Sequence, residues 1–73
     1  METYRLLDAR PYEYGGWLVQ IQFGEGEKWI TLFSGLRRER AAADKLGHFQ
    51  LARFQRFYRD ADYRAAVLRH YAA

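Results

Sequence analysis

The chain has no cysteine, and its single proline is Pro11. The first absence excludes disulfides and thiolate metal sites. Long hydrophobic runs are missing too: no 18 successive residues are apolar, so no transmembrane helix is expected. The first residues, METYRLLDARPYEYGG, lack the apolar core of a secretory signal, so the expected compartment is the cytoplasm. Histidine occurs only as His48 and His70, and neither has a matching ligand one helical turn away, so no metal or other cofactor is expected. Length is also scarce. At 73 residues the chain forms one domain, 1–73, and a domain this small hides only about 60% of its unfolded surface. That leaves little room for a deep catalytic cleft.

Aromatic side chains and arginine are abundant instead. Aromatics make up 18% of the residues, and each ring can bury about 150–250 Å², an economical route to a core for a short chain. Ten of the twelve basic residues are arginine, the exceptions being Lys28 and Lys45. Guanidinium forks suit carboxylates, phosphates and aromatic faces. The Ala- and Arg-rich composition also fits a GC-rich bacterial genome. The formal net charge of +3 is unevenly placed. Residues 1–34 hold five acidic against three basic groups, and residues 35–73 hold four acidic against nine basic groups. The basic character therefore belongs to the second half.

The first half reads as a β-meander. Residues 3–9 form a modest strand, and Pro11 with Gly15 and Gly16 marks the connection after it. In 17–23, Trp17, Val19, Ile21 and Phe23 share one face while Gln20 and Gln22 occupy the other, with Leu18 as an exception, the period of two of a half-buried strand. Gly24-Glu-Gly-Glu27 is a hairpin connection, and 28–34 is a third strand rich in β-formers. Strict alternation there puts Trp29, Thr31 and Phe33 on one face and Ile30 and Leu32 on the other, so both faces carry apolar groups. One of them is then covered, or it exposes an aromatic patch of the kind that marks binding or self-association.

The second half reads as helical, with Ser34 as N-cap before Leu36. Gly47 either ends the first helix or lies within a longer one. Placed at about 100° per residue, Leu36, Ala43, Leu46, Gly47, Leu51, Phe54, Phe57 and Tyr58 fall within one arc of about 140°. That coherence favours helix through 48–58 over a fourth strand in a β-β-β-α-β unit. Asp60-Ala-Asp62 reads as a break and recap before a last helix, with Tyr63, Val67, Leu68 and Tyr71 expected to be buried. The expected architecture is α+β: a three-stranded antiparallel β-meander (3–9, 17–23, 28–34) followed by two or three C-terminal α-helices (36–58 and 62–72) packed on one face.

Catalytic sets are not evident. Ser34 and a histidine lack the local elbow that activates a serine nucleophile. Asp60 and Asp62 are explained by capping, and Glu25 and Glu27 by a solvated hairpin tip. Gly24-Glu-Gly26 joins two strands instead of opening a helix, so it is no phosphate loop. A non-enzymatic binding module is expected.

Arg38, Lys45, His48, Arg56 and Arg59 fall opposite the apolar arc, flanked by Arg37, with Asp44 the one acidic neighbour. Such a ridge suits nucleic-acid phosphates or an acidic protein surface. Tyr12 and Tyr14 on the Pro-Gly loop and Trp29 on the third strand are further candidate contacts, and sheet aromatics beside cations suit single-stranded nucleic acid. In its shortness and its want of catalytic residues the chain resembles the accessory proteins of phages and mobile elements, anti-CRISPR proteins among them. That resemblance implies an inhibitor or adaptor that occludes a host protein's surface. A homodimer through the apolar sheet face is a further expectation.

Overall fold

A computed structural model describes residues 2–72, without the side chains of residues 63, 64, 67 and 70–72. Three strands, β1 (Thr3–Pro11), β2 (Trp17–Glu25) and β3 (Lys28–Arg37), precede two helical segments, α1 (Arg40–Arg59) and α2 (Ala61–Ala72). The strands form one antiparallel sheet in the order β1-β2-β3, so β2 is central and both its neighbours are edges. Short connections dictate this meander: β2 and β3 are separated only by Gly26 and Glu27. Gly26 takes φ +57° at the first central position, where a type II′ turn calls for glycine.

The architecture is α+β as expected, with one helix on the sheet where two or three were anticipated. α1 packs on β1, β2 and β3, whereas α2 touches only α1 among the described residues. The reason lies in α2's composition and placement. It follows α1 after Asp60 alone, and Leu68, expected to be buried, is 55% exposed. The expectations for Tyr63, Val67 and Tyr71 lie outside the described side chains.

The strands run longer than their alternation indicates because a strand's length is set by its partner. Arg10 and Pro11 pair with Leu18 and Trp17, extending β1 past the expected end at residue 9. Pro11 is tolerated as the last residue of an edge strand. Leu36 and Arg37 likewise pair with Leu18 and Trp17, which carries β3 past Ser34. Ser34 is thus a strand residue opposite Gln20, not a helix cap. The N-cap is Glu39, in extended conformation and without a side-chain capping bond. Leu36, expected in the helical arc, is an exposed strand residue instead.

The hydrophobic core lies between α1 and one face of the sheet. Ala9, Val19, Ile21 and Ala43 are buried, and Leu6, Trp17, Phe33 and Leu46 pack against the Ala9–Val19–Ala43 cluster. Gly47 is buried within α1, so residues 48–58 are helical and no fourth strand forms. Its missing side chain allows close approach: a Cβ there would stand 2.7 Å from Val19 Cγ2 and 2.8 Å from Leu6 Cδ1. Toward its C-terminal end α1 covers an aromatic cluster. The Tyr4 ring lies 4.9 Å from Phe23 and stacks on Phe54 at 5.8 Å, and Tyr58 meets it edge-on at 6.1 Å. α1 therefore leans from β3, where Leu46 meets Gly35, toward β1. Ile30, at the far end of β3, is left 60% exposed.

Two bulges decide which side chains face away from α1. On β1, Asp8 and Ala9 together oppose the interval between Leu18 and Gln20 that holds only Val19. On β3, Leu32 is the extra residue between Thr31, opposite Gln22, and Phe33, opposite Ile21. A bulge shifts the alternation of faces by one residue. Trp29 and Thr31 therefore point away from α1 while Phe33 points toward it, which corrects the expectation that all three share a face. The third strand's apolar groups are divided by this bulge and do not form one continuous exposed aromatic patch.

Candidate binding surfaces

The expected helical ridge is divided in two. Lys45, His48, Arg56 and Arg59 are exposed on α1, on the side away from the sheet. Arg37 and Arg38 are not on the helix, because β3 runs to Arg37 and α1 starts only at Arg40. Arg37 donates from Nη1 to the carbonyl of its neighbour Leu36 at 2.8 Å. These two arginines line a shallow cleft with Tyr14, Gly15, Gly16 and Leu36. Tyr14 is 83% exposed, and its ring meets Tyr12 edge-on at 5.6 Å. The fold thus brings Tyr12, Tyr14, Arg37 and Arg38, from separate parts of the sequence, to one corner.

The α1 surface includes two residues that face assignment did not single out. Phe49 is 61% exposed, and the Arg53 guanidinium stands 5.8 Å from its ring centroid. Arg56 forms an i,i+4 ion pair with Asp60 at 4.0 Å, close to the last turn where arginine also suits the helix dipole. From Lys45 to Arg59 the ridge is about 21 Å long at the helical rise per residue.

The open face of the sheet holds a second arrangement, of which the sequence signalled only Trp29. Gln22 spans the three strands. Its Oε1 accepts from Arg5 Nε at 2.8 Å, and its Nε2 donates to Thr31 Oγ1 at 3.4 Å. Gln20 repeats the pattern one row on, accepting from Arg10 Nη2 at 3.0 Å and donating to Ser34 Oγ at 3.1 Å. Each glutamine thus uses its carbonyl on an arginine and its amide on a hydroxyl. The Arg5 guanidinium lies 3.9 Å from the Trp29 ring centroid, a cation–π stack. Trp29 itself is held by its indole N–H, which donates to the Gly26 carbonyl at 2.7 Å.

Both rows depend on the bulges. Arg5 and Arg10 are five residues apart, as are Trp29 and Ser34, and an odd spacing puts residues of a regular strand on opposite faces. Each bulge restores the pair to one face. Period-two reading therefore could not assemble this surface.

Tyr4 lies on the helix side of the sheet, against Phe54. Burial, and secondarily the nearby Tyr58, push its hydroxyl above the ordinary value of about 10. Among the described residues no three His, Asp or Glu side chains converge to hold a metal ion. No described helix is long and apolar enough to cross a membrane. Compared with known proteins, the chain matches no family model, no curated protein and no solved structure.

Proposed function

We propose that this protein is a non-enzymatic binding module that recognises nucleic acid through the outer face of α1. The supporting observation is the row of exposed Lys45, His48, Arg56 and Arg59, with Arg53 beside it. Asp44 is the one acidic residue along its length before Asp60 at the helix end. A solvated helix face commonly mixes glutamate with lysine. This one is dominated by arginine, whose planar fork matches phosphate oxygens.

Phosphate neutralisation releases condensed counterions, so affinity falls steeply with salt. Lys45, Arg53, Arg56 and Arg59 engaging four phosphates would lower affinity for a labelled duplex by roughly 100-fold between about 50 and 200 mM salt. Replacing Lys45, Arg56 and Arg59 together by alanine should remove most of that binding for duplexes of unrelated sequence alike. Unchanged binding in the triple variant rules the reading out.

One observation favours a second reading, a protein-occluding inhibitor or adaptor such as a phage or mobile element encodes. Phe49 with Arg53 against its ring is a pairing that protein interfaces use as an anchor. Duplex affinity with no salt dependence, or none at all, together with loss of a purified acidic partner's binding in Phe49→Ala, would support that reading over nucleic acid.

A further inference from the structure

The open face of the sheet has a chemical bias that its hydrogen bonds create. Each glutamine carbonyl is engaged by an arginine, and each glutamine amide by a hydroxyl oxygen. With their oxygens accepting from the glutamines, the Ser34 and Thr31 hydroxyls keep their own hydrogens to donate, and Arg5 and Arg10 each have guanidinium N–H groups beyond the one used on a glutamine. An arginine has five N–H donors and no acceptor, so the balance of the face is toward donation. The positions paired on this face carry Arg5 and Arg10 and no carboxylate. An acceptor-rich, anionic ligand complements such a surface.

Its geometry narrows the ligand further. The Arg5 guanidinium has Trp29 beneath it and its edge fixed by Gln22, while the residue remains exposed. A flat cation held in one plane is a stacking surface for a nucleobase, and guanidinium planes serve this purpose in single-strand recognition. The two rows are anchored at Gln22 and Gln20, two residues apart on β2, and so lie roughly 7 Å apart. That is about two nucleotide steps at a stacked rise of ~3.4 Å. A duplex cannot use the stack, because its bases already stack on each other.

We propose that the open sheet face is a platform for single-stranded nucleic acid, with one base stacked on the Arg5–Trp29 pair and the backbone running toward Arg10. The site goes beyond the α1 reading and does not require it, since the two surfaces lie on opposite sides of the sheet–helix sandwich.

The probes are oligothymidylate and oligouridylate of about 12 nucleotides, within the usual length for one small domain. Binding should quench tryptophan emission, and Trp29→Phe should abolish the quench while leaving Trp17 emission unaltered. Arg5→Ala should weaken binding by about tenfold or more. Arg5→Lys, which keeps charge and loses the plane, should weaken it nearly as much. The alanine triple at Lys45, Arg56 and Arg59 should keep the quench even as it loses duplex binding, which separates failure of one site from failure of the other. A preference for oligouridylate or for oligothymidylate assigns the strand to RNA or DNA, and either supports the platform. It is overturned by no binding of either strand, by affinity in Arg5→Ala and Arg10→Ala that equals the parent's, or by a homodimer that Trp29→Lys dissociates. Equal quenching by polyglutamate overturns it too, because charge alone then accounts for binding.

Discussion

Gly47 shows how one missing side chain sets the distance between helix and sheet. Alanine is favoured over glycine within a helix by about 1 kcal/mol. Against that gain, a Cβ would press on Val19, which is 1% exposed and β-branched, and on Leu6. Overpacking of a tight core costs about 1–3 kcal/mol. Gly47→Ala should therefore lower the urea midpoint with an unchanged slope, and a raised midpoint would show that α1 can lift at no cost. Tyr4 supplies a second test at this scale. Its hydroxyl is held above its ordinary value by burial and by Tyr58, so the folded chain retains that proton more tightly than the unfolded one. The contribution is full below about pH 10 and is lost as pH rises through the folded value. Stability should decline above pH 10, and Tyr4→Phe should flatten that decline.

Among the elements, α1 and α2 differ in what holds them. α1 is fixed by Ala43 and Gly47 at the sheet and by Phe54 at Tyr4, whereas α2 touches only α1 among the described residues. Amide exchange in α2 should be orders of magnitude faster than at Ala43–Leu51, since local opening there exposes little apolar surface. Equal protection would mean that the two helices open as one unit. The elements were legible in the sequence to different degrees. β2 was, because Trp17, Val19, Ile21 and Phe23 recur at every second residue with Leu18 the one apolar exception on the other face, and so was the arc of α1 through Ala43, Leu46, Gly47, Leu51 and Phe54. The helix start was not, because Ser34 suits an N-cap and a strand equally. Only the length of β2 decides between them. The Arg5–Gln22–Thr31 and Arg10–Gln20–Ser34 rows were not legible either. Register between strands is absent from any single strand's pattern, and two bulges reverse the parity on which that pattern rests.

The whole molecule is a thin plate, 38 × 30 × 18 Å, with one sheet and one covering helix. Such a two-layer body has little interior, and among the described residues its largest fully buried side chains are Ile21 and Val19. Ile21→Ala should cost about 2–5 kcal/mol, comparable with the roughly 3–5 kcal/mol that one small core supplies. The variant should be largely unfolded at 37 °C by circular dichroism, and a cooperative native transition would show that the aromatic cluster around Tyr4 carries more of the stability. Plate geometry also gives the protein two broad outer surfaces, and which residues occupy each depends on single-residue counting. Leu32 has no partner across the ladder. Loss of its codon would leave Thr31 opposite Gln22 and Phe33 opposite Ile21, with every other β3 side chain on its present side. Deletion of Thr31 or Phe33 lets Leu32 take the vacated place, which keeps the register but removes the hydroxyl that accepts from Gln22 or the ring that packs on the core. Leu32 is thus the residue of β3 whose codon the gene can lose with every paired side chain kept, and tryptophan emission of the Leu32-deleted protein should match that of the parent.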